Sequence, residues 1–315
     1  MISMHNMEDD NTFEIIQISA DMSEDLEQLG AKPKFWFTHE KIRTMFKADN
    51  RDTGEDWAEV IAAEICVLLG LPHVPYQLAF DTRNNLPGVL CPNIAAKPLT
   101  LVLGNQLMVE ADPNYPADNE TKYKVKQHTV AAVAEVVAKL DPPPDDDVWQ
   151  GSDACRSALD VFVGYVMLDT LIANQDRHHQ NWGAIRYQRS WLSPTFDHGA
   201  GLARNEPEIK RERRLSSPKR QAELEAFAGR AQSGFYESID GTKTLRSLSC
   251  FLAWRAIRPI AAEVWIGKLG KLQSKDFKQI IDRIPKSRMT PTAKEFTLEL
   301  LLINQKRILQ VQNTN

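Results

Sequence analysis

Residues 42–72 read IRTMFKADNRDTGEDWAEVIAAEICVLLGLP, and this stretch decides the fold class. Its first eight residues are rich in branched and aromatic side chains, which is typical of a β-strand. Gly54 then opens, and Gly70 closes, a segment in which apolar side chains recur at helical spacing. These side chains are Trp57, Ile61, Ile65 and Leu68. The pattern predicts one helix that packs a single apolar face on a sheet.

Short segments of β type surround this helix, and longer helical segments follow it. The predicted strands are 12–19, 34–37, 42–49, 75–80, 86–91 and 99–104. The predicted later helices lie in 122–140, 155–174, 219–232, 243–257 and 291–310. The sequence therefore predicts an α+β protein of two lobes. Residues 1–105 form a β-rich N-lobe with one helix at 55–69, and residues 106–315 form a larger all-helical C-lobe.

Composition narrows the functional class. The chain has 315 residues, of which 43% are hydrophobic, and a net charge of −4, so we expect a folded protein that binds neither nucleic acid directly nor membranes. Its four cysteines are scattered without a Cys-x-x-Cys pair, which predicts reduced core thiols. The N-terminus lacks the features of a signal peptide. We therefore expect a cytoplasmic protein, and leaderless secretion into a host cell stays open.

A polar loop follows a long apolar helical segment. Residues 174–183 read NQDRHHQNWG, so that Asp176 and Asn181 are five residues apart. This is the spacing between the Asp and the Asn in the catalytic loop of protein kinases. There the Asp accepts the proton of the attacking hydroxyl group, and the amide oxygen of the Asn binds magnesium. The spacing predicts the same two roles for Asp176 and Asn181.

A second acidic turn comes sixteen residues after Asn181. Residues 196–199 read FDHG, which places Asp197 before a glycine that lets the chain turn sharply. In kinases an acid at this place holds the magnesium that bridges the phosphates. We therefore expect residues 196–199 to be a metal-binding turn with Asp197 as the ligand.

Phosphoryl transfer also needs a cation at the phosphates, and kinases use a lysine on a strand that a helix glutamate holds. Lys47 lies near the end of a predicted strand, and the next helix carries Glu59 and Glu64. Alone, each residue is most simply a surface charge. Together the residues follow one another in the order found in a kinase, which predicts ATP and Mg²⁺ as cofactors.

Two other interpretations are open from these residues. His178 and His179 could form a metal cluster or a hydrolytic acid–base set with Asp176, although adjacent histidines on a loop rarely share one ion. A nucleotide-binding pseudokinase or scaffold is the second alternative. It would be favoured if Lys47, Asp176, Asn181 or Asp197 were missing, and all four residues are present.

Four blocks of the sequence resemble the HipA-like serine/threonine kinases, in particular the short bacterial members that consist mainly of the kinase core. The blocks are LGAKPKFWF (29–37), MFKADNRDTGEDWAEVIAAEICVLLGLPHVPYQLA (45–79), LIANQDRHHQNWGAI (171–185) and LSPTFDHGAGLARNEPE (192–208). The resemblance implies a protein-kinase-like fold. It also implies transfer of the γ-phosphate of ATP to a serine or threonine of a protein substrate, with autophosphorylation as a further expectation.

The resemblance also implies roles for single residues. Lys47 would contact phosphate with Glu59 as its partner, Glu64 being the second choice. Asp176 would be the catalytic acid/base, and His178 would order the loop or contact the nucleotide. The magnesium ligands would be Asn181 and Asp197, and the further nucleotide contacts would be Gly30, Lys34 and Leu103.

The sequence departs from neighbouring kinase patterns in ways that leave the acceptor open. The loop also resembles the Asp-Arg-His-x-x-Asn of phosphoinositide kinases, so a lipid or small-molecule kinase on the same fold is the alternative. Asp-His-Gly at 197–199 replaces Asp-Phe-Gly, and there is no Ala-Pro-Glu segment. The resemblance also implies an antitoxin or other regulatory partner. Whether the protein acts as a toxin, an effector or a defence component does not follow from the sequence.

Overall fold

The computed structural model describes residues 11–26, 33–49, 53–117, 125–152 and 154–311. Six strands form one sheet in the order β1-β5-β6-β4-β3-β2. They are β1 (Ile16–Ile18), β2 (Asp25–Leu26), β3 (Lys34–His39), β4 (Ile42–Ala48), β5 (Gln77–Asp81) and β6 (Leu86–Pro92). β1 is parallel to β5, and all other neighbours are antiparallel. All of these strands except β2 overlap segments that the sequence predicted as strands, and β3, β5 and β6 extend one or two residues beyond them.

Ten helices are seen in the described part of the chain. They are α1 (Glu55–Leu69), α2 (Gly104–Ala111), α3 (Val130–Val137), α4 (Ala158–Leu171), α5 (Glu208–Leu215), α6 (Arg220–Ala228), α7 (Ser247–Ile257), α8 (Pro259–Gly270), α9 (Ser274–Asp282) and α10 (Pro291–Gln310). α4 is the centre of the helical part, because 13 of its 14 residues are buried and it packs against α7, α8 and α10. The periodicity did not predict α2, α5, α8 or α9.

α1 is buried on almost every side. Gly54 and Gly70 flank it in left-handed conformations, with φ of 80° and 64°, as the sequence predicted for its ends. The sheet strands β5 and β6 pack on one side, and α8 and α9 pack on the other, so that 12 of its 15 residues are buried. The expectation of a single buried face is therefore wrong, and Leu68, predicted in that face, is 41% exposed.

A second, three-stranded sheet corrects the prediction of an all-helical C-lobe. It contains β7 (Thr100–Leu103), β8 (Gly183–Arg186) and β9 (Ser190–Leu192), all antiparallel. β8 and β9 lie in the part that was predicted to be helical throughout. β7 was predicted as an N-lobe strand. It pairs with β8 in this second sheet and is not one of the strands of the six-stranded sheet.

The largest buried apolar cluster extends across the predicted lobe boundary. It joins side chains of α1 with those of α4, α8 and α9, while a smaller cluster covers part of the six-stranded sheet. All four cysteines are buried and none forms a disulfide, which confirms the prediction of core thiols. Among the described residues, no helix combines the length and apolar character that crossing a bilayer requires. The division near residue 105 stays a prediction.

The packing of α4 against α8 gives a stability prediction. A Cβ atom at Gly164 would lie 2.6 Å from Trp265 Cε2 and 2.7 Å from Leu71 Cδ2. Alanine is about 1 kcal/mol better than glycine in a helix, but overpacking a core costs about 1–3 kcal/mol. We expect Gly164→Ala to lower the free energy of unfolding, measured by urea denaturation, by about 1–2 kcal/mol.

The matched control lies on α8. No heavy atom is within 4 Å of a Cβ built at Gly267, so Gly267→Ala should raise the free energy of unfolding by up to about 1 kcal/mol. If both variants are stabilised alike, the close contact between α4 and α8 is wrong.

Candidate active site

Arg177 holds the polar loop in place. Its side chain is 1% exposed and forms a two-point ion pair with Asp169 of α4, with Nε and Nη2 each 2.8 Å from a carboxylate oxygen. Nη1 donates to Asn181 O at 2.6 Å and to Phe196 O at 3.3 Å. One guanidinium group therefore fixes the end of α4, the loop and the turn before Asp197 in relation to each other. This role of Arg177 was not predicted, although the residue lies inside the loop motif.

His178 and Asp176 form the next contact in the loop. The Gln180 N–H donates to His178 Nδ1 at 3.1 Å, so in the neutral ring the proton sits on Nε2. Nε2 lies 3.4 Å from Asp176 Oδ1. The Asp176 side chain is 25% exposed, and it is therefore supported from one side and accessible from the other. This arrangement suits a carboxylate that must meet an incoming hydroxyl group.

Asn181 is oriented by the same loop. Its Nδ2 donates to Asp176 O at 2.7 Å, and its residue is buried. With the amide nitrogen turned to the backbone, Oδ1 is the side-chain atom that can serve a cation. Because Arg177 Nη1 binds the carbonyl groups of both Asn181 and Phe196, Asn181 and the turn that carries Asp197 lie side by side.

His179 has a different environment from His178. It is fully buried, its Nδ1 lies 3.0 Å from the Tyr115 hydroxyl group, and its carbonyl oxygen accepts the Asn105 N–H. The two neighbouring rings are perpendicular, with centroids 6.1 Å apart. In the part of the chain that the structure describes, no group of three His, Cys, Asp or Glu side chains is arranged to hold a metal ion. The metal cluster considered for these two histidines and Asp176 is therefore not seen among the described residues.

Lys47 joins the six-stranded sheet, α1 and the turn at 196–199. Its Nζ lies 2.7 Å from Glu59 Oε1 and also donates to Asp197 Oδ1. Lys47 is 8% exposed and Glu59 is fully buried. Glu64, the second choice for this ion pair, instead lies 3.3 Å from Arg283 on the other side of α1. The structure thus brings together Lys47, Glu59 and Asp197, and leaves Glu64 outside.

The three charges shift one another's protonation. Burial alone would lower the pKa of Lys47, but the charges of Asp197 and Glu59 outweigh it and raise that pKa well above its ordinary value. Burial raises the pKa of Glu59. Burial also opposes ionisation of Asp197, yet Lys47 and Lys34 lower its pKa far below the ordinary range. One ammonium group is thus shared by two carboxylates, and the Lys34 charge also acts on Asp197.

The turn around Asp197 is fixed by side chains from other elements. Asp197 has a φ of 59°, its N–H donates to the Tyr76 hydroxyl group at 3.2 Å, and the next N–H, of His198, donates to Glu59 Oε2 at 2.7 Å. A Cβ at Gly199 would lie 3.1 Å from Glu59 Oε1, which explains the glycine. These contacts hold the backbone of Asp197 in a left-handed conformation that would be unfavourable without them.

His198 replaces the phenylalanine of the usual kinase turn as a buried neutral ring. It has no solvent exposure, and its Nε2 lies 2.9 Å from the Thr195 hydroxyl group. Burial, together with the charge of Arg177, lowers its pKa well below the ordinary value. His198 therefore fills space next to Glu59 without adding a charge.

The remaining predicted nucleotide contacts fall in different places. Lys34 lies opposite Lys47 in the pairing of β3 with β4, and its charge reaches Asp197. Leu103, at the end of β7, lies opposite Gly183, the last residue of the polar loop. Gly30 lies outside the described residues. Lys34 and Leu103 therefore border the group formed by Lys47, Asp197 and the loop, from the sheet and from β7 respectively.

Comparisons with known proteins support the fold. No protein-family model and no curated protein sequence matches the chain. The solved structure of the Helicobacter pylori proinflammatory kinase CtkA matches with a TM-score of 0.70 and 21% sequence identity, over 96% of this chain and 98% of CtkA. HipA of Shewanella oneidensis MR-1, solved with HipB and operator DNA, matches with a TM-score of 0.54 and 11% identity, over 90% of this chain and 65% of that chain. The chain has the fold of these kinases, which confirms the predicted likeness at the level of the fold.

His128 supports the loop from behind and was not predicted. Its Nε2 accepts the indole N–H of Trp182 at 3.1 Å, and its Nδ1 lies 2.8 Å from Gly234 O. Both ring nitrogens are therefore bonded in the neutral form, and burial lowers the pKa of His128 to about 3. Only the fold could reveal this role, because Gly234 is 106 residues away in sequence.

This histidine predicts a loss of stability in mild acid. In the unfolded chain His128 has the ordinary pKa near 6.5, so below that pH the unfolded state takes up a proton that the folded state does not bind. The free energy of unfolding should therefore fall as pH drops from about 6.5 to 5, by up to about 1.4 kcal/mol per pH unit for this residue. Urea denaturation at several pH values measures the slope, which should be smaller in His128→Gln. An NMR titration showing that the folded protein protonates His128 near pH 6.5 would contradict this account.

Proposed function

We propose that the chain is an ATP- and Mg²⁺-dependent serine/threonine protein kinase of the HipA-like type. The observation that carries the proposal is the contact of Lys47 with both Glu59 and Asp197, because residues 12 and 150 positions away meet at one buried ammonium group. In kinases the strand lysine pairs with a helix glutamate, and the aspartate of the metal turn binds magnesium at the same site. The likeness in fold to two kinases supports the same reading.

We further propose that the active site lies between two lobes, residues 1–105 and 106–315. Lys47 and Glu59 belong to the first of these ranges, while Asp176, Asn181 and Asp197 belong to the second. The Lys47–Asp197 contact spans the proposed cleft. ATP bound in this cleft would lie between the sheet and the polar loop.

The residues of the site fit magnesium. Asn181 Oδ1 and the Asp197 carboxylate offer oxygen ligands, which magnesium prefers, and the lowered pKa of Asp197 keeps its carboxylate ionised. Asn181 and Asp197 would hold the ion, which would supply positive charge to offset the phosphates of ATP. Asp197, now bonded to Lys47, would turn to the metal, and Lys47 would then be able to bind phosphate while Glu59 keeps its place.

Asp176 is the proposed acid/base of the transfer. Its carboxylate is supported by His178 Nε2 and is partly exposed, so it can accept the proton of an acceptor hydroxyl group. Arg177 and Asn181 hold the backbone on which Asp176 sits. The two histidines of the loop thus serve different purposes: His178 orients the acid, and His179 anchors the loop to the interior.

The acceptor class is tested by following the label of [γ-³²P]ATP. Purified protein is incubated with ATP and magnesium, alone, with a generic basic protein and with a panel of phosphoinositides. Label on serine or threonine, including self-phosphorylation, supports the proposal. Label in lipid alone would move the function to the phosphoinositide alternative, and no transfer with intact ATP binding would leave a pseudokinase. A regulatory protein partner is part of the proposal, since the HipA neighbour was solved together with HipB.

Asp176→Asn should separate binding from chemistry. The variant keeps the size of the side chain but cannot accept a proton, so phosphate transfer should fall by about 10²-fold or more. The dissociation constant for ATP with magnesium should stay within about a factor of three, because Asp176 is not a proposed metal ligand. The matched control is Gln175→Ala, an exposed neighbour that should retain activity. Undiminished transfer by Asp176→Asn would remove the central assignment.

Thermal unfolding tests the metal site. Magnesium alone should hardly change the melting temperature, ATP alone should raise it slightly, and both together should raise it clearly, because ligands that bind the folded state stabilise it by mass action. Asp197→Asn should abolish the extra stabilisation from the combination. The exposed Asp240→Asn serves as the control and should behave as the unmodified protein. Equal stabilisation by ATP with and without magnesium would show that the proposed ligands do not act.

A further inference from the structure

A second cavity lies beside the first turn of α1, away from the proposed active site. Its volume is about 840 Å³, within the usual range of small-molecule pockets. Its wall comes from the edge of the six-stranded sheet, the start of α1, the segment 204–211 and the loop 286–290. Lys47, Asp176, Asn181 and Asp197 are absent from the wall. We propose that this cavity is a binding site for a small molecule that carries an oxyanion on an apolar body.

Three arginines and one lysine line this cavity: Arg204, Arg211, Lys286 and Arg288. The side chains of Arg211 and Arg288 are only 9% and 7% exposed. Burying a guanidinium group is costly unless its N–H groups find partners. These arginines have protein partners, and N–H groups that those partners do not use can donate to an oxyanion in the cavity.

The arginines are held in fixed positions by the protein. Arg288 donates to Asp56 Oδ2 at 3.0 Å and to Ala79 O at 2.7 Å, which uses two of its five N–H groups. Arg211 binds Glu208 and the carbonyl oxygens of residues 203 and 204. Arg204 binds Glu55, with Nη2 2.5 Å from Oε1, and the Thr53 hydroxyl group. A ligand would meet donors that are already oriented, so little side-chain freedom would be lost on binding.

The local charge favours a negative ligand at the rim. Two carboxylates line the cavity, and both are engaged: Asp49 accepts the N–H groups of Gly54 and Glu55, and Asp56 pairs with Arg288. Lys286 is exposed, and among the described residues no carboxylate forms an ion pair with it. The positive charge that is not offset by an ion pair therefore lies at the mouth of the cavity.

The rest of the wall is suited to an apolar group. Trp57, Phe80, Leu86, Met289 and Ile15 contribute to it. The Arg288 guanidinium carbon lies 5.8 Å from the centre of the Phe80 ring, so the charged and aromatic surfaces are adjacent. A ligand with a phosphate or carboxylate group and an aromatic-sized body would contact both kinds of surface at once.

Direct binding to simple probes tests the proposal without requiring kinase activity. Phenyl phosphate, benzoate and phenol are titrated calorimetrically into the full chain without ATP or magnesium. Phenyl phosphate or benzoate should bind, and the better of the two identifies the oxyanion. Phenol should bind at least about ten-fold more weakly, since it lacks the charge that the cations recognise.

Four variants locate the site. Lys286→Glu should weaken binding about ten-fold or more, whereas Lys275→Glu, an exposed lysine of α9 outside the wall, should not. Gln17→Trp places a bulky ring at an exposed position of the wall and should block binding without altering charge. Lys34→Ala, which removes a cation of the proposed kinase site without breaking the buried Lys47–Glu59 pair, should leave probe binding unchanged and so separate this cavity from that site.

Three results would overturn the proposal: no binding of either anion to the unmodified chain, binding that neither Lys286→Glu nor Gln17→Trp reduces, or binding that Lys34→Ala removes. In each case the arginines would be structural ion pairs that anchor α1 and nothing more. Because the test measures binding of probes, its failure leaves the proposed phosphate transfer untouched, and failure of transfer leaves this site untouched.

Discussion

The rest of the fold depends on one nearly buried ammonium group, that of Lys47. Lys47 is a cation inside the protein, and such a charge is tolerated only where opposite charges surround it. Glu59 and Asp197 supply them from a helix and from a turn 150 residues away. α1 must therefore be held against the sheet, and the turn must be held against α1. The contacts of Tyr76, Arg177 and Gly199 make sense as means to that end, since each fixes the turn or leaves room for Glu59.

Individual strands and helices could be predicted from local sequence patterns. The strand with Lys47 and the glycines around α1 are readable because strand and helix periods, and helix ends, are short-range properties. The burial of α1 on both sides was not readable, because α8 and α9 come about 200 residues later and were themselves missed. The short strand β9 was not predicted, since three residues carry too little period to stand out from their surroundings.

The candidate site shows the same limit in its polar residues. Spacing alone indicated Asp176, Asn181 and Asp197, because a motif lists residues that act together. It could not indicate which side chains support them. Arg177 lies inside the motif, but its value depends on Asp169 and on a carbonyl group at 196. His128 is an ordinary histidine in the sequence and becomes a neutral support only where burial and two partners from distant segments meet.

The burial of α1 limits how far this helix can move, and so limits how the activity of the protein could be controlled. Many kinases switch off by swinging the corresponding helix outward, which breaks the lysine–glutamate pair. Here such a swing would strip cover from twelve buried residues, among them Ile61 and Ile65, and each large apolar side chain brought into water costs about 1.5–3 kcal/mol. The conformation with α1 displaced would therefore have a very small population. On the proposed function, control would therefore act on access to the site around Lys47 and Asp197, while α1 keeps its position.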